Sequence, residues 1–174
     1  MDFEDEVNRK VQDALARISR IPVAVLIWGP DVKSGTPIAD TRQKLKDVLV
    51  ADGHLARFSE ELIDPNSTHS VVAQQFAQAE AYDVVFSLPG SPGSISEIHD
   101  FARMPGVGGK IVAFVDQDWN DGYANKSLMQ MESTLTSRVQ IYASTDLPDR
   151  VIDTAQNHVH RLQELLYCFF GRRC

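Results

Sequence analysis

Cysteine is scarce in this chain. The 174 residues hold two, Cys168 and Cys174, six positions apart at the end of the sequence. A disulfide there would close too short a loop to add much stability, and a metal site needs more ligands. Free thiols in a reducing cytoplasm are the expectation, with no metal ion. Positive charge is also in deficit: 17 Lys and Arg stand against 24 Asp and Glu, a net charge of -7. Nothing in that balance neutralises a phosphate backbone, so no nucleic-acid polymer is expected as a partner, and the Arg172-Arg173 pair is too short to change this. No apolar run approaches the roughly 20 residues that span a bilayer, so no membrane partner is expected. The opening Met1-Asp2-Phe3-Glu4-Asp5-Glu6 is acidic where a secretory signal would be basic and then apolar. Repeats, low-complexity tracts and linkers are missing too, and the chain reads as one domain over 1–174.

What is present is an alternation of helical and strand patterns. Phe3, Val7, Val11, Leu15 and Ile18 recur every three or four positions, the mark of an amphipathic helix over 3–19 that needs a partner surface, with Pro22 as its stop. The apolar runs at 23–28 and 84–86, and the strand 110–115 that is apolar after Lys110, read as buried strands of a parallel sheet. Shorter strands are expected at 55–58 and 139–142. Helices fit between them, the second closing at Gly53 as a C′ residue and the third capped by Ser67 or Thr68. A further helix is expected over 124–135 and a long final one over 148–170. Strands alternating with helices across a core of about 21–145 predict an α/β fold. It is a doubly wound five-stranded parallel sheet of flavodoxin-like order 2-1-3-4-5, with extra N- and C-terminal helices. Such sheets bind ligands beyond the carboxyl ends of their strands, where the strand order reverses. Here that lies between strands 1 and 3, whose loops are Trp28-Gly29-Pro30-Asp31 and Pro89-Gly90-Ser91-Pro92-Gly93-Ser94.

The second of these loops carries the most chemistry. Gly90 and Gly93 let backbone come close to a ligand, and Ser87, Ser91, Ser94 and Ser96 offer hydroxyls to phosphate or ribose oxygens. A loop rich in backbone N–H groups that runs into a helix start is suited to an anion. Glu97 would then sit beside whatever the loop holds. Ser94-Ile95-Ser96-Glu97 also matches a capping box, in which Glu97 serves only the helix.

Leu88-Pro89-Gly90-Ser91-Pro92-Gly93-Ser94-Ile95-Ser96-Glu97 resembles the L-P-G-G-x-G-T-x-x-E signature of the lysine-decarboxylase-like nucleotide phosphoribohydrolases, with Ser in place of one Gly and of the Thr. The stretch from Gly93 to Ala102 is similar to the G-T-x-x-E-I-G-x-A segment of nucleoside deoxyribosyltransferases, and Gly29-Pro30 to their loop beside the nucleoside. Both families share a Rossmann-like sheet with TIR-type NADases and cleave N-glycosidic bonds with a glutamate. The resemblance therefore implies Glu97 as catalytic residue, a small nucleotide or nucleoside as partner, no cofactor, and a homodimer or higher homo-oligomer. Two departures stand beside it. Gly90-Ser91-Pro92 occupies the stretch where the deoxyribosyltransferases carry an Asp, and no arginine motif matches that of the phosphoribohydrolases.

Other residues support the same place. Trp28 is read either as a base-stacking ring or as core. Asp31 is read as an aid to the leaving base or as a turn former. His99 is read as a cleft residue or as a solvated one. Ser59-Glu60-Glu61 sits on the same rim, where a carboxylate can hold ribose hydroxyls, although a solvated loop is the expectation. Three functions follow. The first is cleavage or transfer at the N-glycosidic bond of a nucleoside monophosphate, nucleoside or NAD. The second is a non-catalytic nucleotide-binding sensor or assembly domain on the same fold. A metal-dependent phosphatase-like protein, built on the Asp116 to Asp121 cluster, ranks last, because a plain turn explains that cluster.

Overall fold

The structure, a computed structural model, describes residues 2–91, 98–119, 122, 126 and 138–173. Helix α1 (Phe3–Ile18) precedes strand β1 (Ala24–Trp28), and α2 (Pro37–Ala51) leads to β2 (Leu55–Phe58). Helix α3 (Val71–Ala81) and strand β3 (Val84–Ser87) come next, followed by helical residues at 98–102. Strands β4 (Ile111–Asp116) and β5 (Arg138–Tyr142) and the long helix α4 (Asp149–Cys168) complete the order. The strands form one all-parallel sheet, β2-β1-β3-β4-β5, with helices on both faces. This is the doubly wound α/β arrangement expected.

Successive side chains of a strand point to opposite faces, and the two cores sort accordingly. Val25 and Ile27 of β1, Phe86 of β3 and Phe114 of β4 join Leu45 of α2 and Val151 of α4 in one core. Leu26, Val85, Ala113 and Val115 join Ala79 of α3 and Phe101 in the other. The helix that follows β1 and the helical residues that follow β3 therefore lie on opposite faces. Their entry loops diverge and leave a cleft between the ends of β1 and β3.

Local signals set the ends of these elements. Thr36 caps α2 by accepting from the Ala39 N–H, and Pro37 occupies the first turn, where no N–H is needed. At the far end Gly53 has φ +88°, its N–H donates to the Val50 carbonyl, and the His54 N–H donates to the Leu49 carbonyl. That pair of bonds is a Schellman motif. The end of α3 is tied by Lys110, whose Nζ donates to the carbonyls of Glu80 at 2.5 Å and Tyr82 at 2.8 Å. A cation there also complements the negative end of the helix dipole.

One expectation is corrected. Helix α3 is capped by Ser70, which accepts from the Ala73 N–H at 3.2 Å, and not by Ser67 or Thr68. Ser67 is occupied with the turn before it, accepting from the His69 N–H at 3.1 Å. Helix α1 ends at Ile18, ahead of Pro22. None of its residues is buried, and Phe3 is 79% exposed. The helix expected over 124–135 lies outside the described residues, Lys126 apart. No helix among the described residues is long and apolar enough to cross a membrane.

Candidate functional site

Strands β1 and β3 pair directly, with Trp28 in register with Ser87 and the Leu88 N–H donating to the Trp28 carbonyl at 2.9 Å. The loops leaving them are thus held side by side. A Cβ on Gly90 would stand 3.2 Å from Cβ and Cγ of Pro30, so the two loops are in contact. Above this contact opens a cavity of about 760 Å³. That falls within the range of small-molecule sites, about 300–1,000 Å³.

Trp28, Gly29, Pro30, Ser87, Gly90 and Ser91, all expected at the site, line this cavity. Asp31 and His99 are not among its lining residues. Asp31 is exposed and accepts from the Lys33 N–H at 2.9 Å, in a short 3-10 turn at Val32–Ser34. His99 is half-buried, and its neighbour Asp100 lines the cavity instead. Gly93, Ser94 and Glu97 lie outside the described residues. The chain leaves those residues at Ser91 and rejoins them at Ile98, and both of these line the cavity.

The apolar wall comes from Trp28, Ile63, Val71, Val72, Phe101 and Met104. The rings of Trp28 and Phe101 lie 4.8 Å apart at 56°, a tilted contact that fixes the indole from one side. The indole Nε1 is buried and has no hydrogen-bond partner among the described residues. Val71 and Val72, in the first turn of α3, are both more than half exposed and bring that helix to the rim.

The polar side carries Glu60, which the sequence puts on this rim, and behind it stands Arg42, which the sequence does not single out. Glu60, read from sequence as part of a solvated loop, lines the cavity with its side chain 54% exposed. Both of its carboxylate oxygens accept from Arg42 at 2.7 Å, one from Nη1 and one from Nη2. Arg42 itself is wholly buried, 0% exposed, in the middle of α2. Its Nη1 also donates to the Pro30 carbonyl and its Nη2 to the Ile27 carbonyl, each at 2.8 Å. The guanidinium thereby ties the end of β1, the loop after it and the carboxylate after β2 into one unit. It lies over the Phe58 ring, 4.2 Å from the centroid, which shields it from the side. No sequence signal singles Arg42 out, because in α2 it stands among other charged residues, and only burial distinguishes it.

The neighbouring Glu61 faces away from this unit and supports the loop. Burial pushes its carboxyl up, but the Lys46 ion pair, the Phe58 N–H at 3.2 Å and Arg57 together hold it below the usual range. Ser59 is buried and donates to Gln78 Oε1 at 2.6 Å, pinning the loop to α3.

The arrangement joins a flat aromatic wall, a carboxylate of fixed position and two loops of closely approaching backbone around one space. It suits a ligand with a planar apolar part and hydroxyl or phosphate groups. Among the described residues, no group of three or more His, Cys, Asp or Glu stands close enough to hold a metal ion. Asp116, part of the acidic stretch after β4, spends its carboxylate on the Ser144 hydroxyl at 2.7 Å and the Asp118 N–H at 2.9 Å. The chain matches no protein-family model, and a search of curated proteins finds no match.

Proposed function

We propose that this protein cleaves, or transfers at, the N-glycosidic bond of a nucleotide-like substrate bound in the cavity between the ends of β1 and β3, with Glu97 as the catalytic carboxylate. One observation carries the reading. Pro89, Gly90 and Ser91 of the motif line the cavity, and so does Ile98, the residue that follows it in sequence. The size of that space and the Trp28 wall add support, since a base is planar and apolar on its faces.

In this reading the base lies against Trp28, and the backbone of Gly90 and Ser91 with the Ser91 hydroxyl holds the phosphate end. The bond between C1′ and the base nitrogen breaks, and its electron pair leaves with the base. The Glu97 carboxylate attacks C1′ or stabilises the oxocarbenium ion that forms. Water, or the hydroxyl or base of an acceptor, then adds at C1′ and releases the sugar from the enzyme.

Chromatography with mass detection tests this on a panel of ribo- and deoxyribonucleoside monophosphates, nucleosides and NAD. Free base released by the wild type and not by Glu97→Gln is the expected result. Ligand binding without turnover in either protein overturns the catalytic reading and leaves a nucleotide-binding domain, with Glu97 as a helix cap.

A further inference from the structure

The most constrained polar group on the cavity wall is Glu60, and nothing in the chemistry just described uses it. A carboxylate that served only as a counter-ion to Arg42 would be expected to share its burial. Here the arginine is 0% exposed, while the glutamate side chain is 54% exposed and faces the ligand space. Arg42 takes one lone pair on each oxygen. An ionised carboxylate offers about four acceptor sites, so each oxygen keeps one for a further donor.

The pairing has an electrostatic consequence. A lone carboxylate in the cavity would repel a phosphate, whereas Arg42 cancels its charge at 2.7 Å and leaves its hydrogen-bonding capacity. The wall thus gains a fixed acceptor without gaining a negative field. Its position is set relative to the phosphate end, because Arg42 also holds the Pro30 carbonyl and Pro30 packs on Gly90. In parallel sheets of this kind, a carboxylate beyond the second strand is well placed to accept from ribose hydroxyls.

We infer that Glu60, held in place by Arg42, accepts a hydrogen bond from a hydroxyl of the substrate's ribose and makes the site selective for ribo- over deoxyribonucleotides. Glu60 is then a binding residue, and Arg42 a positioning residue that acts through it. The inference rests on the nucleotide reading of the cavity and narrows it to one sugar class.

Isothermal titration calorimetry on the full chain carrying Glu97→Gln, so that no ligand is turned over, provides the test. The ligands are the adenosine, cytidine, guanosine and uridine monophosphates with their 2′-deoxy and 2′,3′-dideoxy analogues. A lost hydrogen bond to a charged acceptor predicts about 10-fold or greater weakening for the analogue that lacks the hydroxyl. Adding Glu60→Gln should close that gap. A carboxylate with a merely structural part would instead lower the affinity for all sugars equally. If Glu60→Gln does not fold, Glu60→Ala takes its place in the same sugar comparison. Equal affinity across the three sugars overturns the inference and leaves the nucleotide reading standing. A preference that follows the base and ignores the sugar, or a sugar gap that survives Glu60→Gln, also overturns it. Failure of every nucleotide to bind overturns both readings together.

Discussion

Gly29 and Arg42 share a space that admits only one of them as a side chain. A Cβ on Gly29 would stand 2.9 Å from Cδ of Arg42 and 2.9 Å from the Leu88 carbonyl oxygen. The guanidinium reaches Glu60 and the carbonyls of Ile27 and Pro30 by passing over bare backbone. A strand-end glycine, a buried arginine and a cavity carboxylate therefore form one construction.

Gly29→Ala should disturb that construction directly. The side chain of Arg42 is wholly buried and its guanidinium is held by Glu60 and the carbonyls of Ile27 and Pro30, and the Leu88 oxygen belongs to the backbone of the adjacent loop. A loss of about 1–3 kcal/mol is expected, as for overpacking elsewhere. Urea denaturation should register it as a lower midpoint at unchanged slope. On the proposed function, nucleotide binding weakens with it.

Gly108→Ala should be costlier. A Cβ there would fall 2.2 Å from the Ala102 carbonyl oxygen, well inside contact distance. Either the turn after the helical residues 98–102 or that segment itself must shift. The same segment presents Phe101 to the cavity, so the effect reaches the site. The expected cost is about 3 kcal/mol, the upper part of the range for forced overpacking, read from the same denaturation curves. A variant as stable as the wild type would show that the turn can relax.

Asp83 should prove to be the anchor of the C-terminal segment. Its carboxylate accepts from the Ala24 N–H at 2.9 Å and from both terminal nitrogens of Arg172, at 2.7 and 2.9 Å. The hydrogen bond and charge of Asp83 hold the Arg172 guanidinium above its ordinary value. Asp83→Asn should cost about 1–2 kcal/mol, in the range of charge-assisted bonds at a partly exposed site. In a double-mutant cycle, Arg172→Met should add little to it. Independent, additive losses from the two changes would refute the coupling.

Acid should weaken the fold through His158. Burial first, and then the nearby Arg138 and Arg161, push its imidazole down to about 4. The ring packs edge-on against Phe86, 5.9 Å between centroids. An unfolded chain protonates this histidine near its ordinary 6.5, whereas the folded one resists until about pH 4, so the unfolded state binds the extra proton in between. The stability held by the neutral ring is whole above pH 6.5 and is lost as the pH falls from there towards 4. Thermal unfolding midpoints of wild type and His158→Phe should lie close together at neutral pH and separate towards pH 4, where only the wild type loses stability through this group. Parallel curves would rule the histidine out as the source.

The sequence by itself determined the sheet. Three continuous apolar runs can be satisfied only as strands covered on both faces, and the helical stripes between them require right-handed crossovers. Glycine, proline and serine mark the loops at the ends of β1 and β3, and Trp28, Gly29, Pro30, Ser87, Gly90 and Ser91 line one cavity there. Such signals are local, because each depends on neighbours a few positions away. What only the tertiary structure decided is long-range. Arg42 and Glu60 lie 18 residues apart with nothing in their surroundings to link them, and they meet because β1 and β2 pair in parallel with α2 packed across them. The cap of α3 moved to Ser70 because the turn before it had already claimed Ser67. The apolar stripe of α1, though plain in the sequence, stayed exposed because periodicity states which face is apolar and not what lies opposite. A buried charge is legible only when its partner is known, and the fold alone brings the partner to it.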